Sequence, residues 1–185
     1  MAEQFFPAGK GEDHPMRCRI SEETIQKRVA EIASAINAEY QGKPLVVVCV
    51  LKGGFMFFTD LLKKITVRPE VDFVRLASYG NASHTSGNVR ITKDVELSLK
   101  DKHVLLVEDV IDSGHSMDFL LRYLEVRGAA SMRLAVLVDK KERREVPVAA
   151  DYVGFELDEG FIVGYGLDYA EKYREFPAIY EILSE

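Results

Sequence analysis

The sequence predicts an α/β domain in which helices flank a mainly parallel central sheet. Apolar runs rich in β-branched residues recur along the chain, as in strands buried on both faces, and segments with helical periodicity separate them. About two dozen residues lie between the runs at 103–107 and 132–138, which leaves room for a crossover helix between parallel strands. The length of 185 residues and the 47% apolar content fit one such domain.

The first half of the chain predicts alternating helices and strands after an irregular start. Residues 1–20 contain prolines and glycines without sustained periodicity, so we expect an irregular arm. Ser21 is a suitable N-cap for a helix that ends before Gly42 and Pro44. The apolar residues of that helix repeat with helical spacing: Ile25, Val29, Ile32 and Ile36. The later elements follow in order as a strand at 45–51, a helix at 55–62, a strand at 71–77, a loop at 79–88 and a strand at 89–92.

The second half predicts two further strands of the sheet and then a change of pattern. Its regular elements are a strand at 103–107, a helix at 116–127 and a strand at 132–138. A charged run at 140–144 follows, and beyond it only short strand-like segments are visible, at 152–155 and 161–163. The stretch at 169–182 mixes aromatic and charged residues and has no clear pattern.

The two chain ends are expected to form a small lobe beside the central sheet. We expect one domain over 1–185, with a core at about 45–150 and a hood from about 1–44 and 151–185. Since no internal repeat or low-complexity tract interrupts the sequence, there is no reason to divide it further.

Charge and composition argue against several classes of partner. A net charge of −6 and a pI near 5.4 disfavour a dedicated binder of nucleic acid or anionic membranes. The longest apolar run, 45–51, is far shorter than a membrane span, and no secretory signal opens the chain. The two cysteines, Cys18 and Cys49, give no disulfide framework, and the histidines lack metal-ligand spacing. We therefore expect a cytoplasmic protein.

The most informative segment is 104–117, in which an apolar strand leads into acids and a small-residue turn. Glu108 and Asp109 lie at the carboxyl end of the strand, where open α/β sheets bind ligands. The turn at 112–116 opens a helix, so its backbone N–H groups and the helix dipole favour an anion. The segment therefore predicts a phosphate site beside acids that can bind sugar hydroxyls or a metal.

This segment resembles the phosphoribosyl-diphosphate signature of type I phosphoribosyltransferases. The resemblance implies ribose binding by Glu108 and Asp109. It also implies a 5′-phosphate site made by the whole turn: Asp112, Ser113, Gly114, His115 and Ser116. Many relatives have a basic or aliphatic residue followed by Thr where this chain has His115 and Ser116. Ser116 keeps the hydroxyl, so phosphate binding is expected to persist, and the effect of His115 is open.

Two further segments resemble donor-binding parts of the same family. Residues 51–54 look like its diphosphate loop, in which Lys52 adds charge and Gly53 allows close approach of the backbone. In relatives the peptide bond before this lysine is often cis. Ser78 and Tyr79 resemble the lid pair that closes over the diphosphate and excludes water from the activated ribose.

The segments 138–140 and 161–169 resemble the hypoxanthine (6-oxopurine) branch of the family. The resemblance implies that Lys140 donates a hydrogen bond to the 6-oxo group of the purine. It implies that Phe161 stacks on the base while backbone groups of Ile162 read its edge. Stacking contributes about 1–3 kcal/mol and tolerates any base, so hydrogen bonds must select the purine. The implied purine site comprises Lys140, Phe161, Ile162 and Asp168.

The resemblance also implies a magnesium-dependent mechanism. Mg²⁺ would be held by Asp168, water and substrate oxygens, with Glu108 and Asp109 on the ribose hydroxyls and available to the ion. Arg174 matches an arginine that contacts the diphosphate. Two roles remain open for Asp112: it exchanges the purine N7 proton as a general base or acid, or it only shapes the phosphate loop.

The implied partners are a purine base and 5-phosphoribosyl 1-diphosphate, with a homodimer or homotetramer as the usual assembly of the family. Preference among hypoxanthine, guanine and xanthine is open. A pyrimidine regulator of the same fold that binds RNA would need a basic face, which the net charge of −6 disfavours. The glycine patterns of dinucleotide-binding domains and of P-loop NTPases are absent from the sequence.

Overall fold

The computed structural model of the chain describes residues 14–79 and 88–183. Most of the arm expected at 1–20 and most of the loop expected at 79–88 lie outside this part. The side chains of Ser78 and Tyr79, the expected lid pair, lie outside it as well.

Helices and strands alternate through the first two thirds of the described chain. In chain order the elements are β1 (Met16–Ile20), α1 (Glu22–Glu39), β2 (Leu45–Leu51), α2 (Phe55–Lys64), β3 (Glu70–Tyr79), β4 (Asn88–Lys93), β5 (His103–Ile111), α3 (His115–Glu125), β6 (Ser131–Lys140), β7 (Tyr152–Leu157), β8 (Phe161–Val163) and β9 (Ile179–Ile182). The elements predicted from 45 to 163 are all present, most of them longer by one to four residues than expected.

The described residues form a central sheet of six strands in the order β4-β3-β2-β5-β6-β7. All neighbours are parallel except β3 and β4, which pair antiparallel at one edge. The apolar run of β2 has a direct explanation, because its alternate residues enter two separate cores. Leu45, Val47 and Cys49 belong to one core, whereas Val46, Val48 and Val50 belong to the other. The predicted α/β class with a mainly parallel sheet is confirmed.

Helices cover both faces of this sheet. The first core packs α1 and α2 against one face, and the second packs α3 against the other. Ser21 caps α1 as expected, since its side-chain oxygen accepts a hydrogen bond from the backbone N–H of Thr24. Within the described residues, no helix combines the length and the apolar character needed to cross a membrane.

A second, three-stranded sheet in the order β1-β9-β8 lies at the chain ends. The irregular arm expected at 1–20 is therefore wrong for Met16–Ile20, which pairs antiparallel with β9. A short strand whose partner lies at the far end of the chain gives too little local alternation to be recognised. Two elements from the ranges expected for the hood, α1 and β7, belong to the layers of the central sheet.

Candidate active site

The carboxyl ends of β5 and β6 open into a cleft, and β8 of the three-stranded sheet closes this cleft from one side. Its volume is about 470 Å³. The cleft is lined by six of the residues that the sequence had indicated as candidates: Asp109, Asp112, Lys140, Phe161, Ile162 and Asp168. These residues come from three separate stretches of the chain, so the fold assembles in one place what the sequence distributes.

Two adjacent carboxylates lie at this end of β5, and one of them, Asp109, lines the cleft. Glu108 and Asp109 lie inside β5, which runs four residues beyond its expected end. Glu108 is buried, and its burial, together with the neighbouring Asp109 carboxylate, raises the pKa of Glu108 well above its usual range. The backbone N–H of Asp109 donates to Oε1 of Glu108 at 3.0 Å. The pair therefore concentrates negative charge that favours a cation or hydroxyl donors.

Gly53 brings the expected diphosphate loop against this carboxylate pair. A Cβ atom at Gly53 would lie 1.6 Å from Oδ2 of Asp109, so any side chain at this position would displace the Asp109 carboxylate. The peptide bond between Leu51 and Lys52 is cis, as the family resemblance implies. Two segments that lie far apart in sequence thus meet at the position expected for the bond between ribose and diphosphate.

The phosphate turn, residues 112–116, joins β5 to α3. Gly114 has a φ of +91°, a left-handed conformation that favours glycine, and α3 begins at the next residue. The same position is tightly packed, because an added Cβ would lie 2.9 Å from Cγ2 of Val146. The first N–H groups of α3 therefore follow directly on the turn, the arrangement expected of a phosphate site.

The carboxylate of Asp112 has one oxygen without a partner. Oδ1 is buried and makes no hydrogen bond with any residue that the structure describes. Oδ2 lies 3.5 Å from Nη1 of Arg143. Leaving a buried acceptor unpaired costs free energy, so a ligand that donates a hydrogen bond to Oδ1 is favoured.

Three consecutive residues, Arg144, Glu145 and Val146, support the phosphate turn from behind, and we call them the brace. The backbone N–H groups of Glu145 and Val146 donate to the carbonyl of Ser113 at 2.9 and 3.2 Å. The side chain of Glu145 also lies 2.8 Å from Nε2 of His115, which gives that unusual residue of the turn a partner.

The side chain of Arg144 binds backbone carbonyl groups at both the phosphate turn and the end of β6. Its Nε donates to the carbonyl of Asp112 at 3.0 Å, and its Nη2 donates to the carbonyl of Lys140 at 3.1 Å. It also forms an ion pair with the buried carboxylate of Asp139. Arg144 could not be recognised from the sequence because it stands in a charged run, and such runs are normally solvated surface. No local signal separates it from Arg143.

The purine end of the cleft carries an exposed aromatic ring. Phe161 is 51% exposed although it is a large apolar residue, and the edge of Tyr169 packs against it with ring centroids 5.5 Å apart. The Nζ of Lys140 donates to the carbonyl of Gly160 at 2.6 Å, and Ile162 is buried. An exposed ring face beside a lysine amine is suited to a flat heterocycle with an exocyclic oxygen.

A further group of charged side chains lies near these elements, and we call it the diphosphate cluster. It comprises Lys52, Asp168, Glu171 and Arg174. Glu171 Oε2 lies 2.8 Å from Nζ of Lys52 and 3.3 Å from Nη2 of Arg174. Arg174 also pairs with Oδ1 of Asp168 at 2.8 Å. Hydrogen bonds from Lys52 and Arg174 lower the pKa of Glu171. Glu171 is the one member of this cluster that no sequence motif marks.

The expected ligands of a metal ion are divided between two places. Among the described residues, no three His, Cys, Asp or Glu side chains meet as a metal-binding group. Asp168 is engaged by Arg174 in the diphosphate cluster, whereas Glu108 and Asp109 lie at the end of β5. The three acids therefore do not form one preformed site.

Comparisons with known proteins agree with this geometry. The family model described as "Phosphoribosyl transferase domain" matches residues 21–170. The chain is 44% identical over 160 residues to the hypoxanthine-guanine phosphoribosyltransferase of Bacillus subtilis, covering 86% of this chain and 89% of that protein. It is 46% identical over 160 residues to the bifunctional protein TilS/HprT of Listeria innocua, where the match covers 86% of this chain. The chain spans only 25% of the length of that bifunctional protein.

Solved structures similar to this one also include phosphoribosyltransferases. A hypoxanthine phosphoribosyltransferase from Staphylococcus aureus superimposes with a TM-score of 0.87 at 38% sequence identity. The superposition covers 90% of this chain and 91% of that one. The central sheet and its flanking helices are thus shared with that structure.

Proposed function

The chain belongs to the phosphoribosyltransferase domain family, and on that premise we propose that it is a purine salvage enzyme. It transfers the 5-phosphoribosyl group from 5-phosphoribosyl 1-diphosphate to hypoxanthine, and also to guanine, giving IMP or GMP and diphosphate. The observation that carries the proposal is the cleft in which Lys140 and Phe161 face Asp109 and Asp112. One cavity thereby joins a base-binding end to a ribose-binding and phosphate-binding end.

The residues present fit a magnesium ion that arrives with the donor. Carboxylate oxygens are the hard ligands that Mg²⁺ prefers, and it usually keeps several ligands from water and substrate. Asp168 on one side, and Glu108 with Asp109 on the other, would hold it. Bound there, the ion would neutralise charge on the diphosphate. Burial and, after it, the neighbouring Asp109 carboxylate raise the pKa of Glu108, so a cation bound beside the pair would favour its ionised form.

The chain's own residues then account for donor binding and bond cleavage. The phosphate turn holds the 5′-phosphate, and Glu108 and Asp109 accept hydrogen bonds from the ribose hydroxyls. Breaking the C1′–O bond builds positive charge on the ribose, which the same carboxylates stabilise. Lys52 and Arg174 stabilise the departing diphosphate, and Ser78 and Tyr79 close over it as a lid.

The base end selects and activates the purine. Phe161 stacks on the ring, Lys140 donates to the 6-oxo group, and backbone groups of Ile162 read the opposite edge. N9 attacks C1′ as the diphosphate leaves, and the N7 proton passes to Asp112. The unpartnered buried Oδ1 of Asp112 supports this role as a proton acceptor.

The compartment and the assembly complete the proposal. Both cysteines are free, with Cys18 exposed and Cys49 buried, which supports a reducing compartment such as the cytoplasm. We propose a homodimer or homotetramer, which sedimentation of the purified chain would test.

Diphosphate release tests the activity directly. The purified chain would be assayed with the phosphoribosyl donor and with hypoxanthine, guanine, xanthine or adenine in turn, with Mg²⁺ and with a chelator in its place. We expect turnover of hypoxanthine and guanine only when Mg²⁺ is present. Full activity with adenine and none with hypoxanthine would overturn the 6-oxopurine assignment.

A further inference from the structure

We propose that Glu171 is an internal counter-ion that occupies the diphosphate-binding cations of the free site and thereby weakens binding of the donor. The inference rests on the proposed function, because it takes Lys52 and Arg174 as the groups that bind diphosphate. It assigns to Glu171 the role of setting donor affinity and easing release of the diphosphate product.

The geometry places one carboxylate between the two cations. Oε2 of Glu171 accepts from Nζ of Lys52 at 2.8 Å and from Nη2 of Arg174 at 3.3 Å. A single carboxylate oxygen thus takes the bridging position that a diphosphate oxygen would take between the same two groups. A donor oxygen that takes this position competes with Glu171 for both cations.

Glu171 can leave without disturbing the cations it bridges. Its side chain is 65% exposed, so it can turn into solvent at little desolvation cost. Arg174 has other partners that keep it in place, because Nη1 donates to the carbonyl of Gly166 at 2.8 Å and Nη2 pairs with Asp168. The backbone of Glu171 is also fixed, since its N–H donates to Oδ2 of Asp168 at 2.9 Å.

The consequence is a competition between two anions for one pair of cations. Diphosphate that takes the position of Glu171 displaces its two ion pairs, so the observed affinity is lower than the cations alone would give. After the reaction, the tethered carboxylate returns to the same cations and displaces the product. This competition requires that the ion pairs of Glu171 with Lys52 and Arg174 be weak. Ion pairs that are partly exposed to solvent are weak.

The test measures binding of magnesium diphosphate to the full-length chain by calorimetry, without purine. Glu171→Gln keeps the size of the side chain and removes its charge. We expect about three- to tenfold tighter binding, the range that one or two half-exposed ion pairs support. Glu175→Gln is the matched control, because Glu175 is exposed and its side chain makes no hydrogen bond or ion pair with a described residue. Glu171→Asp keeps a carboxylate and should bind less tightly than Glu171→Gln.

Kinetics provide a second readout that a purely structural role would not change. In Glu171→Gln the KM for the donor should fall and inhibition by diphosphate should strengthen, while the KM for hypoxanthine stays constant. Unchanged or weaker diphosphate binding in Glu171→Gln overturns the inference, as does equally tighter binding in Glu175→Gln. A chain that binds diphosphate but converts no purine would overturn the proposed function and leave the binding comparison valid.

Discussion

The two phosphate-binding ends of the cleft are built in different ways. The phosphate turn is held by the brace, whose backbone N–H groups and Arg144 side chain bind carbonyl groups of Ser113 and Asp112. The diphosphate cluster is held by side-chain ion pairs, in which the side chains of Lys52 and Glu171 are 45% and 65% exposed. Backbone hydrogen bonds in a packed region define one conformation, whereas exposed ion pairs exchange readily with solvent and ligands.

The proposed reaction explains why the two ends should differ. The 5′-phosphate is present in both the donor and the nucleotide product, so its site gains from staying fixed throughout. The diphosphate is bound only in the donor and must leave at the end, so its site gains from contacts that are easily replaced.

Asp112→Asn removes the proton acceptor at the rigid end and keeps the shape of the side chain. If Asp112 accepts the N7 proton, turnover should fall by roughly 10²–10⁴-fold while donor affinity changes little, the usual range for general acid–base catalysis. Measuring kcat and the KM for the donor on one variant separates this role from loop shaping. Weak donor binding with normal turnover at saturation would instead assign Asp112 to the shape of the turn.

Arg144→Ala tests the brace. The substitution leaves the buried Asp139 carboxylate without its partner, and breaking a buried ion pair costs about 3 kcal/mol or more of unfolding free energy. For a chain of this size, that loss corresponds to a decrease in Tm of roughly 6–12 °C. The KM values of the donor and the base should rise together, because Arg144 contacts the carbonyls of Asp112 and Lys140.

Arg122→Ala is the control for the brace. Arg122 is exposed and pairs with Asp118 on the surface of α3, so its loss should change the free energy of unfolding by less than about 0.5 kcal/mol. If the two alanine variants unfold at the same denaturant concentration, the brace contributes no special stability and the contrast between the two ends fails.

The contrast also explains what could be predicted from the sequence. The acids and the turn between 108 and 116 are contiguous, and each has a local reason for its residue type, so a candidate site could be proposed before any fold was known. The apolar runs of the central sheet were equally clear, because β2 is buried on both faces.

What was missed depends on contacts between distant parts of the chain. Glu171 acquires its role only when the fold brings Lys52, which is distant from it in the sequence, within ion-pair distance. Arg144 looks like any surface arginine until the turn after β5 folds against it. The strand at Met16–Ile20 needs β9 as its partner. Local composition carries none of these pairings.

Lys140→Ala tests whether the base end is independent of both phosphate ends. Losing one hydrogen bond from a charged donor to the 6-oxo group should lower kcat/KM for hypoxanthine by about 10- to 100-fold. Donor affinity should stay constant, because the contacts of Lys140 lie on the side of Gly160. Lys141→Ala is the control, since Lys141 pairs with Glu156 at the surface. An equal loss of donor affinity in Lys140→Ala would place Lys140 among the phosphate ligands.

Glu108→Gln tests the charge concentrated at the end of β5 and should have the smallest effect. Burial and the Asp109 carboxylate raise the pKa of Glu108 in the folded state, whereas the unfolded chain keeps the ordinary value of about 4.3. Below that value both states are protonated and the charge has no influence. As the pH rises, the unfolded state loses its proton first, so ionisation progressively destabilises the folded wild-type chain. Gln cannot ionise, and its Oε1 can still accept from the N–H of Asp109.

The free energy of unfolding of the two proteins should therefore diverge with pH. We would measure urea denaturation without Mg²⁺ or donor between about pH 4 and pH 8. The free energy of unfolding of Glu108→Gln should become increasingly larger than that of the wild-type chain as the pH rises. Each kcal/mol gained would raise Tm by about 2–4 °C. A difference that does not vary with pH would contradict the raised pKa. With Mg²⁺ and donor present the order should reverse, because the wild-type carboxylate then binds the ribose hydroxyls. The charge that destabilises the free protein would thus be the charge that binds its substrate.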